Sequence, residues 1–346
     1  MECYKERDYY FDNAKFILII LVVFAHSLRP LIEINITFKI IYTFIYTFHM
    51  PVFVFISGYF SKIQYKFDSK YCYIYIIFQV LYCIFFNKFN FPLTIVAALI
   101  VPYWIMWYIY AVMIWRIVLP LIIKLRHPIL LSFVMSIIAG YIININDLFS
   151  LSRIFTFLSY FLIGYYAKQN NIKIQINNLS KIIALILISF LLLLIVLNSL
   201  AIDYNWLYGL YPYKILSHNE WYASIYRLGV YIICFYASIL FLLLVPNKKT
   251  IYSSLGSNTI CAYLVHGFIV KLLLMSNIYR YINNTYGIII LALFSILLAL
   301  LLLSEVSKKI FIYLTSFDFK RLKQKKQYGN QNVLPQKRQI KNTKTL

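Results

Sequence analysis

The stretch that decides the fold lies at residues 12–26 and reads DNAKFILIILVVFAH. It is an apolar run with ionisable side chains at both ends. Lys15 and His26 are eleven residues apart. At about 100° and about 1.5 Å per residue, this spacing places both on one helix face, about 16 Å apart along the axis, and Asp12 belongs to the same face. If the helix crosses a bilayer, His26 lies deep in hydrocarbon, where an ionisable side chain is costly and indicates a functional site.

The composition of the whole chain indicates a membrane protein. Of its 346 residues, 62% are apolar and only 13% are charged, and the mean hydropathy is +0.75. Soluble domains are closer to half apolar and a quarter charged, and they could not bury this much apolar surface. The sequence therefore predicts an all-α, polytopic integral membrane protein.

The net charge of +22 does not point to nucleic acid, because its distribution favours a membrane anchor. We divide the chain into a membrane domain at 1–316 and a basic, disordered cytoplasmic tail at 317–346. The basic residues of this tail are Lys320, Arg321, Lys323, Lys325, Lys326, Lys337, Arg338, Lys341 and Lys344. Such a tail would lie against an anionic lipid leaflet and fix the topology, so we expect membrane lipids and no nucleic acid as partners.

The cysteines predict neither a disulfide framework nor a metal site. They are odd in number, scattered, and without metal-ligand spacing, and four of them lie in apolar segments. We interpret them as small core residues and expect no metal. The first apolar run also lacks a small-residue cleavage site, so we expect no cleavable signal peptide.

Hydropathy predicts ten membrane spans of about 20 residues. They are residues 14–34, 39–61, 71–88, 104–123, 129–146, 152–168, 182–202, 222–245, 257–276 and 286–314. The apolar piece at 89–102 lies between prolines and is short for a span, so we expect a re-entrant or interfacial segment there.

Basic residues in the loops favour a cytoplasmic location for both termini. Outside the tail, the loops assigned to the inside carry twelve basic residues and those assigned to the outside carry seven. The positive-inside rule therefore supports ten spans with both ends in the cytoplasm. No internal repeat is visible, so an inverted-repeat transporter gains no support.

A second histidine lies at matching depth. His49 occurs in FHMPVFVFISGYF, residues 48–60, about ten residues from the outer end of the second predicted span. Antiparallel helices joined by a short loop usually pack together, so His26 and His49 could share one cavity near the midplane. A histidine with a free nitrogen suits a general base. Each could instead be a satisfied core residue, but two at one depth favour function.

Other ionisable residues leave alternatives open. Lys15 either snorkels to lipid phosphates or binds a phosphate-bearing ligand, and Asp12 could simply pair with it. Arg153 is either an interfacial anchor or lines a polar cavity. His266 lies inside the ninth predicted span, and Glu305 near the inner end of the tenth could pair with a nearby lysine.

Five motifs, taken in order, resemble the acyltransferase-3 family of polytopic membrane acyltransferases, and most closely its sugar O-acetyltransferases of the fucose 4-O-acetylase type. They are DNAKFILIILVVFAH, FHMPVFVFISGYF, WYIYAVMIW, SRIFTFLSYFLIGYYAK and LGSNTICAYLVHGFIV. The resemblance covers roughly residues 8–310. The family pattern is a basic residue, ten residues and a histidine. Here Lys15 stands where arginine is common, which keeps the charge but lacks the bidentate fork.

The resemblance implies transfer of an acyl group, usually acetyl from cytoplasmic acetyl-CoA, to a sugar hydroxyl at the outer face of a bacterial plasma membrane. The acceptor would be a capsular polysaccharide, an exopolysaccharide or a lipid-linked precursor. We expect His26 and His49 to be catalytic, Asp12 and Lys15 to organise donor access, and Arg153 to hold the acceptor. The alternatives are a glycan or lipid-linked-intermediate transporter and a membrane sensor, and the sequence does not choose between direct transfer and an acyl-histidine.

Overall fold

The computed structural model describes residues 8–63, 69–86, 100–145, 148–172, 174–216, 218 and 220–315. Within these residues the protein is all helical, without strands. The chain divides into two units, residues 1–308 and 309–346. The predicted tail at 317–346, residues 89–99 of the predicted re-entrant segment, the last two residues of the third predicted span, and Cys3 lie outside the described residues.

The described residues contain twelve α-helices. They are α1 Tyr9–Leu28, α2 Ile36–Tyr46, α3 His49–Tyr59, α4 Ser69–Phe85, α5 Trp107–Ile122, α6 Pro128–Ala139, α7 Leu151–Gln169, α8 Asn178–Leu197, α9 Ala223–Leu244, α10 Thr259–Met275, α11 Thr285–Leu303 and α12 Glu305–Thr315. Short 3-10 helices lie at Arg29–Leu31, Trp104–Met106, Leu148–Ser150, Tyr204–Tyr208, Leu255–Asn258 and Asn277–Arg280.

Seven helical segments are long and apolar enough to cross a membrane: Tyr9–Leu31, Ile36–Tyr59, Trp104–Ile122, Asn178–Leu197, Ala223–Leu244, Leu255–Met275 and Thr285–Leu303. The helices α4 and α6 are shorter apolar helices. The prediction of an all-α polytopic membrane protein is therefore confirmed. The number of ten spans and the cytoplasmic location of both termini stay predictions.

The second predicted span is two helices in line, and the break lies just before His49. The α2 helix ends at Tyr46 and α3 begins at His49, with the Thr47 hydroxyl donating a hydrogen bond to the Phe44 carbonyl. Pro51 lies in the first turn of α3, where its missing N–H costs no intrahelical hydrogen bond. The break thus places His49 at a helix start rather than in mid-helix.

The α3 and α7 helices pack very closely, and two glycines allow it. A Cβ added to Gly58 of α3 would lie 1.9 Å from the Phe161 carbonyl oxygen, and one added to Gly164 of α7 would lie 2.0 Å from the Phe55 carbonyl oxygen. No side chain fits at either position, so the two backbones touch as small residues permit in membrane helix pairs. This contact fixes α3, which carries His49, against α7, which carries Arg153.

The Lys15 end of α1 is held by a buried polar network. The Asn13 side-chain amide donates hydrogen bonds to the carbonyls of Pro246 and Lys248, both at 2.9 Å. Its side-chain oxygen accepts from the hydroxyls of Thr250, at 2.9 Å, and Ser253, at 2.7 Å. All hydrogen-bonding groups of this amide are therefore used, which anchors α1 to the connection between α9 and α10.

The connection between α8 and α9, residues 198–222, is held in place by contacts with α9. We call this connection the cap. Arg227 of α9 is buried, donates a hydrogen bond to the Trp206 carbonyl at 3.2 Å, and packs against the rings of Trp206 and Tyr213. These contacts hold the Tyr204–Tyr208 helix over the end of the bundle that contains His26. Arg227 therefore has a structural role here.

Candidate active site

Three of the residues predicted to be functional, His26, His49 and Arg153, line one cavity of about 620 Å³. Its walls come from α1, α2, α3, α4, α5, α7, the segment before α5, the cap and α10. The other residues of the wall are Arg29, Tyr42, Tyr46, Met50, Gln79, Cys83, Val101, Pro102, Tyr103, Trp104, Ile105, Trp107, Phe157, Leu207, Tyr208, Leu210, Tyr211 and Tyr263. We call this space the histidine cavity.

His26 reaches the histidine cavity from the last turns of α1. Its ring lies 5.0 Å from the Trp104 ring and 6.5 Å from the Tyr46 ring, measured between centroids and edge-on in both cases. It is half-buried and faces the cavity, so its imidazole is accessible to a ligand there.

His49 is oriented by the helix break. Its Nδ1 lies 2.9 Å from the Ile45 carbonyl oxygen, and because a carbonyl only accepts, Nδ1 carries the hydrogen and Nε2 keeps the lone pair. The Tyr46 ring lies 4.4 Å from His49 and also contacts His26. The two imidazoles therefore share the cavity with a tyrosine between them.

A third histidine lies beside His26, and the sequence interpretation gave it no role. His266 of α10 is fully buried, and its ring centroid lies 5.4 Å from that of His26. Its Nδ1 donates to the Ala262 carbonyl at 3.0 Å, while its Nε2 is buried without a hydrogen-bond partner. Such an atom is an acceptor without a donor, which is rare inside proteins and indicates function. The signal available in sequence was its position in the last of the five motifs.

The cavity wall beside His26 contains a strained residue. Trp104 has φ of +42°, a left-handed conformation that is unfavourable for a bulky side chain. The residues before it are held by Gln79, whose amide donates to the Val101 carbonyl at 3.0 Å and whose oxygen accepts from the Tyr103 N–H at 2.9 Å. The end of the predicted re-entrant segment, at 101–102, and Tyr103 after it are thus a non-helical part of the cavity wall.

Two arginines lie in the same wall. Arg153 of α7 packs over the Trp107 ring at 5.0 Å, and its Nε donates to the Tyr208 carbonyl at 3.4 Å. Arg29, three residues after His26, packs over the Tyr204 ring at 5.5 Å. Arg153 lines the cavity, and its role in holding the acceptor stays a prediction.

Lys15 and Asp12 lie apart from the histidines. They form a salt bridge of 2.9 Å, and Lys15 lines a second, smaller cavity of about 130 Å³. Its other lining residues are Phe53, Ile56, Ser57, Tyr71, Tyr108, Ile109, Val112, Arg116, Thr259, Ile260 and Tyr263. We call it the lysine cavity. Tyr263 lines both cavities and donates a hydrogen bond to the Ile105 carbonyl, so this side chain lies between them.

Several other ionisable residues do not line either of these cavities. Asp203 caps the Tyr204–Tyr208 helix through the Asn205 N–H at 2.9 Å, and His218 lies 3.7 Å from Glu220 in the cap. Glu305 pairs with Lys308 at 3.2 Å. The cysteines that the structure describes are not disulfide-bonded. No group of three metal-ligating side chains occurs among the described residues, and the expected absence of a metal stays a prediction.

The fold and this site define a multi-pass membrane protein with a histidine-lined cavity inside the helix bundle. The model of one protein family, described as an acyltransferase domain and belonging to acyltransferase family 3, matches residues 8–304. The chain belongs to this family and is a membrane acyltransferase, as the five motifs predicted. No curated protein and no solved structure matches the chain. The sugar O-acetyltransferase branch stays a prediction.

Proposed function

We propose that this acyltransferase moves an acetyl group from acetyl-CoA to a sugar hydroxyl of a capsular polysaccharide, an exopolysaccharide or a lipid-linked precursor, in a bacterial plasma membrane. The observation that carries the proposal is the placement of His26 and His49 in one cavity with Arg153, within a chain of the acyltransferase-3 family. The aromatic walls suit the flat faces of a pyranose ring.

His26 acts as the general base in this proposal. It takes the proton from the acceptor hydroxyl, and the oxygen attacks the carbonyl carbon of the thioester. A C–O ester bond forms and the C–S bond breaks. The imidazolium then returns the proton to the departing thiolate of CoA. His49, with its lone pair on Nε2, assists the proton transfer.

His266 positions His26. Because Nδ1 of His266 is committed to the Ala262 carbonyl, its Nε2 can accept a hydrogen bond from one nitrogen of His26. The other nitrogen of His26 then keeps its lone pair for the acceptor hydroxyl. A buried partner that fixes the tautomer of a catalytic histidine is the arrangement found in hydrolase triads.

The donor approaches through the lysine cavity. The salt-bridged Lys15 and Asp12 lie at the end of α1 that is predicted to face the cytoplasm, and a lysine there can bind a phosphate of CoA as a point charge. The narrow cavity suits an extended thioester arm that reaches towards His26. Tyr263 lies where this arm would enter the histidine cavity, so we assign it a gating position.

The proposal leaves two chemical routes, direct transfer and an acetyl-imidazole on His26. Both need His26 and differ in one observable. Labelled acetyl-CoA supplied without acceptor would leave label on the protein only in the covalent route.

The test is proton NMR of the surface polysaccharide from the producing strain with and without this gene. We expect the O-acetyl methyl signal to disappear on deletion, to return with the wild-type gene, and to stay absent with His26→Ala. The variant's level in the membrane is measured in parallel. An unchanged acyl pattern with less surface glycan would contradict the proposal and favour the transporter alternative.

A further inference from the structure

We propose that one anionic phospholipid binds between α1, α3, α7 and α9, with an acyl chain in an apolar cavity and its phosphate at the lysines beside the polar end of that cavity. The bound lipid supports the part of α3 that carries His49. The binding does not depend on the proposed function, and only its effect on the reaction rests on that function.

The site is a third cavity, of about 640 Å³, which lies between these four helices. We call it the apolar cavity. Among the described residues, none lines both this cavity and either the histidine cavity or the lysine cavity. Its apolar lining includes Phe11, Val52, Phe55, Ile163, Ile239 and Leu242.

The polarity of the lining changes along the apolar cavity. Val52 of α3 and Phe235 of α9 line its deep part. Asp8, Asn170 and Asn247 line the end at which α1 begins and α7 and α9 end. Phe235 lies nine residues before the end of α9, which is about 14 Å along the helix axis. One leaflet of a hydrocarbon core about 30 Å thick has nearly this depth, so the cavity matches a phospholipid in both length and polarity.

The deep part is accessible and mostly apolar. Phe235 and Ile239 belong to a segment that is apolar and long enough to cross a membrane, and they are 42% and 41% exposed. Two hydroxyl groups of the lining are already used, since Ser238 donates to a carbonyl of its own helix at 2.6 Å and Tyr10 donates to the Leu242 carbonyl at 2.7 Å. Water in a cavity needs polar partners, whereas an apolar cavity binds apolar ligands. An acyl chain from the bilayer therefore suits this part.

Three exposed lysines lie at the polar end. The Lys168 Nζ is 4.9 Å from the centroid of the Tyr59 ring, which lines the cavity. Lys248 and Lys249 directly follow Asn247 in the chain. Lysine side chains at a membrane boundary extend to lipid phosphates, and basic pockets between membrane helices bind anionic headgroups.

The polar end contains less negative than positive charge. Asp8 is the only acidic residue among the described residues that line the cavity. Its carboxylate accepts a hydrogen bond from the Phe11 N–H at 3.3 Å and caps α1. One carboxylate does not offset three ammonium groups, so an anionic headgroup is favoured over a zwitterionic one.

The deep part lies next to the α3 wall of the histidine cavity. His49 and Met50 line the histidine cavity, and the next two residues, Pro51 and Val52, line the apolar cavity. One turn of α3 therefore separates the two cavities. Side chains beside an empty space lose packing contacts, so an acyl chain in the apolar cavity holds this turn, and with it His49, in place.

The lipid part of an acceptor is not the expected occupant. The polar end lies where α1 begins, on the Lys15 side, which is predicted to face the cytoplasm. In the proposed function the acceptor reaches His26 from the other end of α1. A phospholipid of the leaflet on the Lys15 side therefore fits the cavity better.

The first experiment uses the purified full chain in detergent, with dioleoyl phosphatidylglycerol added and dioleoyl phosphatidylcholine as the control with the same acyl chains. We expect native mass spectrometry to show one retained phosphatidylglycerol, and saturation to raise the melting temperature by about 4 °C or more. Equal shifts with both lipids would overturn the anionic site. A polyprenyl phosphate retained in the protein as purified would overturn the choice of occupant.

A matched pair of variants locates the lipid. Ile239→Trp fills the cavity and should abolish the shift in melting temperature. Ile232→Trp, two turns earlier on α9 at a 70% exposed residue that does not line the cavity, should retain it. Equal shifts for the two variants would place the lipid elsewhere and overturn the proposal.

A surface variant keeps the test decisive if Ile239→Trp does not fold. Lys168→Gln should weaken phosphatidylglycerol binding about fivefold. Lys124→Gln, at an exposed lysine that lines none of the three cavities, should leave the affinity unchanged. The same affinity for both variants would contradict headgroup binding at the polar end.

The effect on the reaction is measured in nanodiscs made of either lipid, with labelled acetyl-CoA and de-O-acetylated glycan from the producing strain. We expect a higher kcat in phosphatidylglycerol, with KM for acetyl-CoA unchanged. Equal kcat values would show that the lipid does not support His49. If neither preparation transfers acetyl, the proposed function fails, while the binding results still decide the lipid site.

Discussion

The histidine cavity and the lysine cavity lie along the same helix but differ in size and chemistry. The first is about 620 Å³ and contains two histidines, two arginines and several aromatic rings. The second is about 130 Å³ and contains Lys15 and Arg116 beside apolar side chains. A wide cavity can hold a sugar ring beside a base, whereas a narrow one fits a linear arm. In the proposed function, the two substrates approach from opposite ends of α1 and meet at Tyr263.

The largest effect is expected from a change at the His26 end of α1. His26→Ala should lower kcat about 10³-fold, within the range that a positioned general base contributes, with little effect on KM for acetyl-CoA. The measurement is initial-rate kinetics with purified membranes. His218→Ala, at a histidine of the cap that does not line the cavity, is the control. Equal losses for both variants would show that the histidine cavity is not the reaction centre.

The role of His266 is tested by two replacements with different hydrogen-bonding capacity. His266→Leu removes the acceptor behind His26 and should lower kcat about 100-fold, whereas His266→Gln can place an oxygen near the position of Nε2 and should recover part of the rate. The second measurement is modification of His26 by diethyl pyrocarbonate, followed by mass spectrometry.

We expect the Leu variant to change the rate of His26 modification and its pH profile, and the Gln variant to resemble the wild type. If both replacements lose the same activity and leave His26 reactivity unchanged, His266 is only a packing residue.

At the lysine cavity we expect an effect on donor binding. Lys15→Gln should raise KM for acetyl-CoA about tenfold, because a hydrogen bond to a charged group contributes about 1.5–3 kcal/mol, while kcat changes little. Lys15→Arg should preserve or lower KM, since it restores a bidentate fork. Measuring KM for acetyl-dephospho-CoA, which lacks the 3′-phosphate, shows whether Lys15 contacts that phosphate. A change in KM for the glycan instead of the donor would reverse the assignment of the two cavities.

The smallest effect on activity is expected from a change that loosens the scaffold. Gly164→Ala places a Cβ against the Phe55 carbonyl and should destabilise the protein by about 1–3 kcal/mol through overpacking. Gly229→Ala meets no atom within 4 Å and should be neutral or slightly stabilising. Thermal unfolding in detergent measures both. Equal melting temperatures would mean that the close contact of α3 and α7 does not contribute to the stability of the fold.

The sequence alone determined the class, the helices and the alignment of residues along α1. Hydropathy and length are local properties, so nearly every predicted span coincides with a helix, and the spacing of Lys15 and His26 needs only helical periodicity. The similar predicted depths of His26 and His49 in the membrane also led to the prediction that they share one cavity, because helices joined by a short connection usually pack together. The five motifs led to the family, and the family is confirmed.

Only the tertiary structure decided what surrounds these residues. His266 is 240 positions from His26 in sequence, and nothing local tells which face of α10 meets which face of α1. Contacts between distant segments also determine three other features. These are the left-handed backbone of Trp104, the packing of Arg227 against the cap, and the position of Tyr263 between the two cavities. Most helix faces of this chain are apolar, so the sequence pattern that would distinguish a buried face is weak. The sequence therefore does not predict which helix faces pack together, and the tertiary structure is needed to show it.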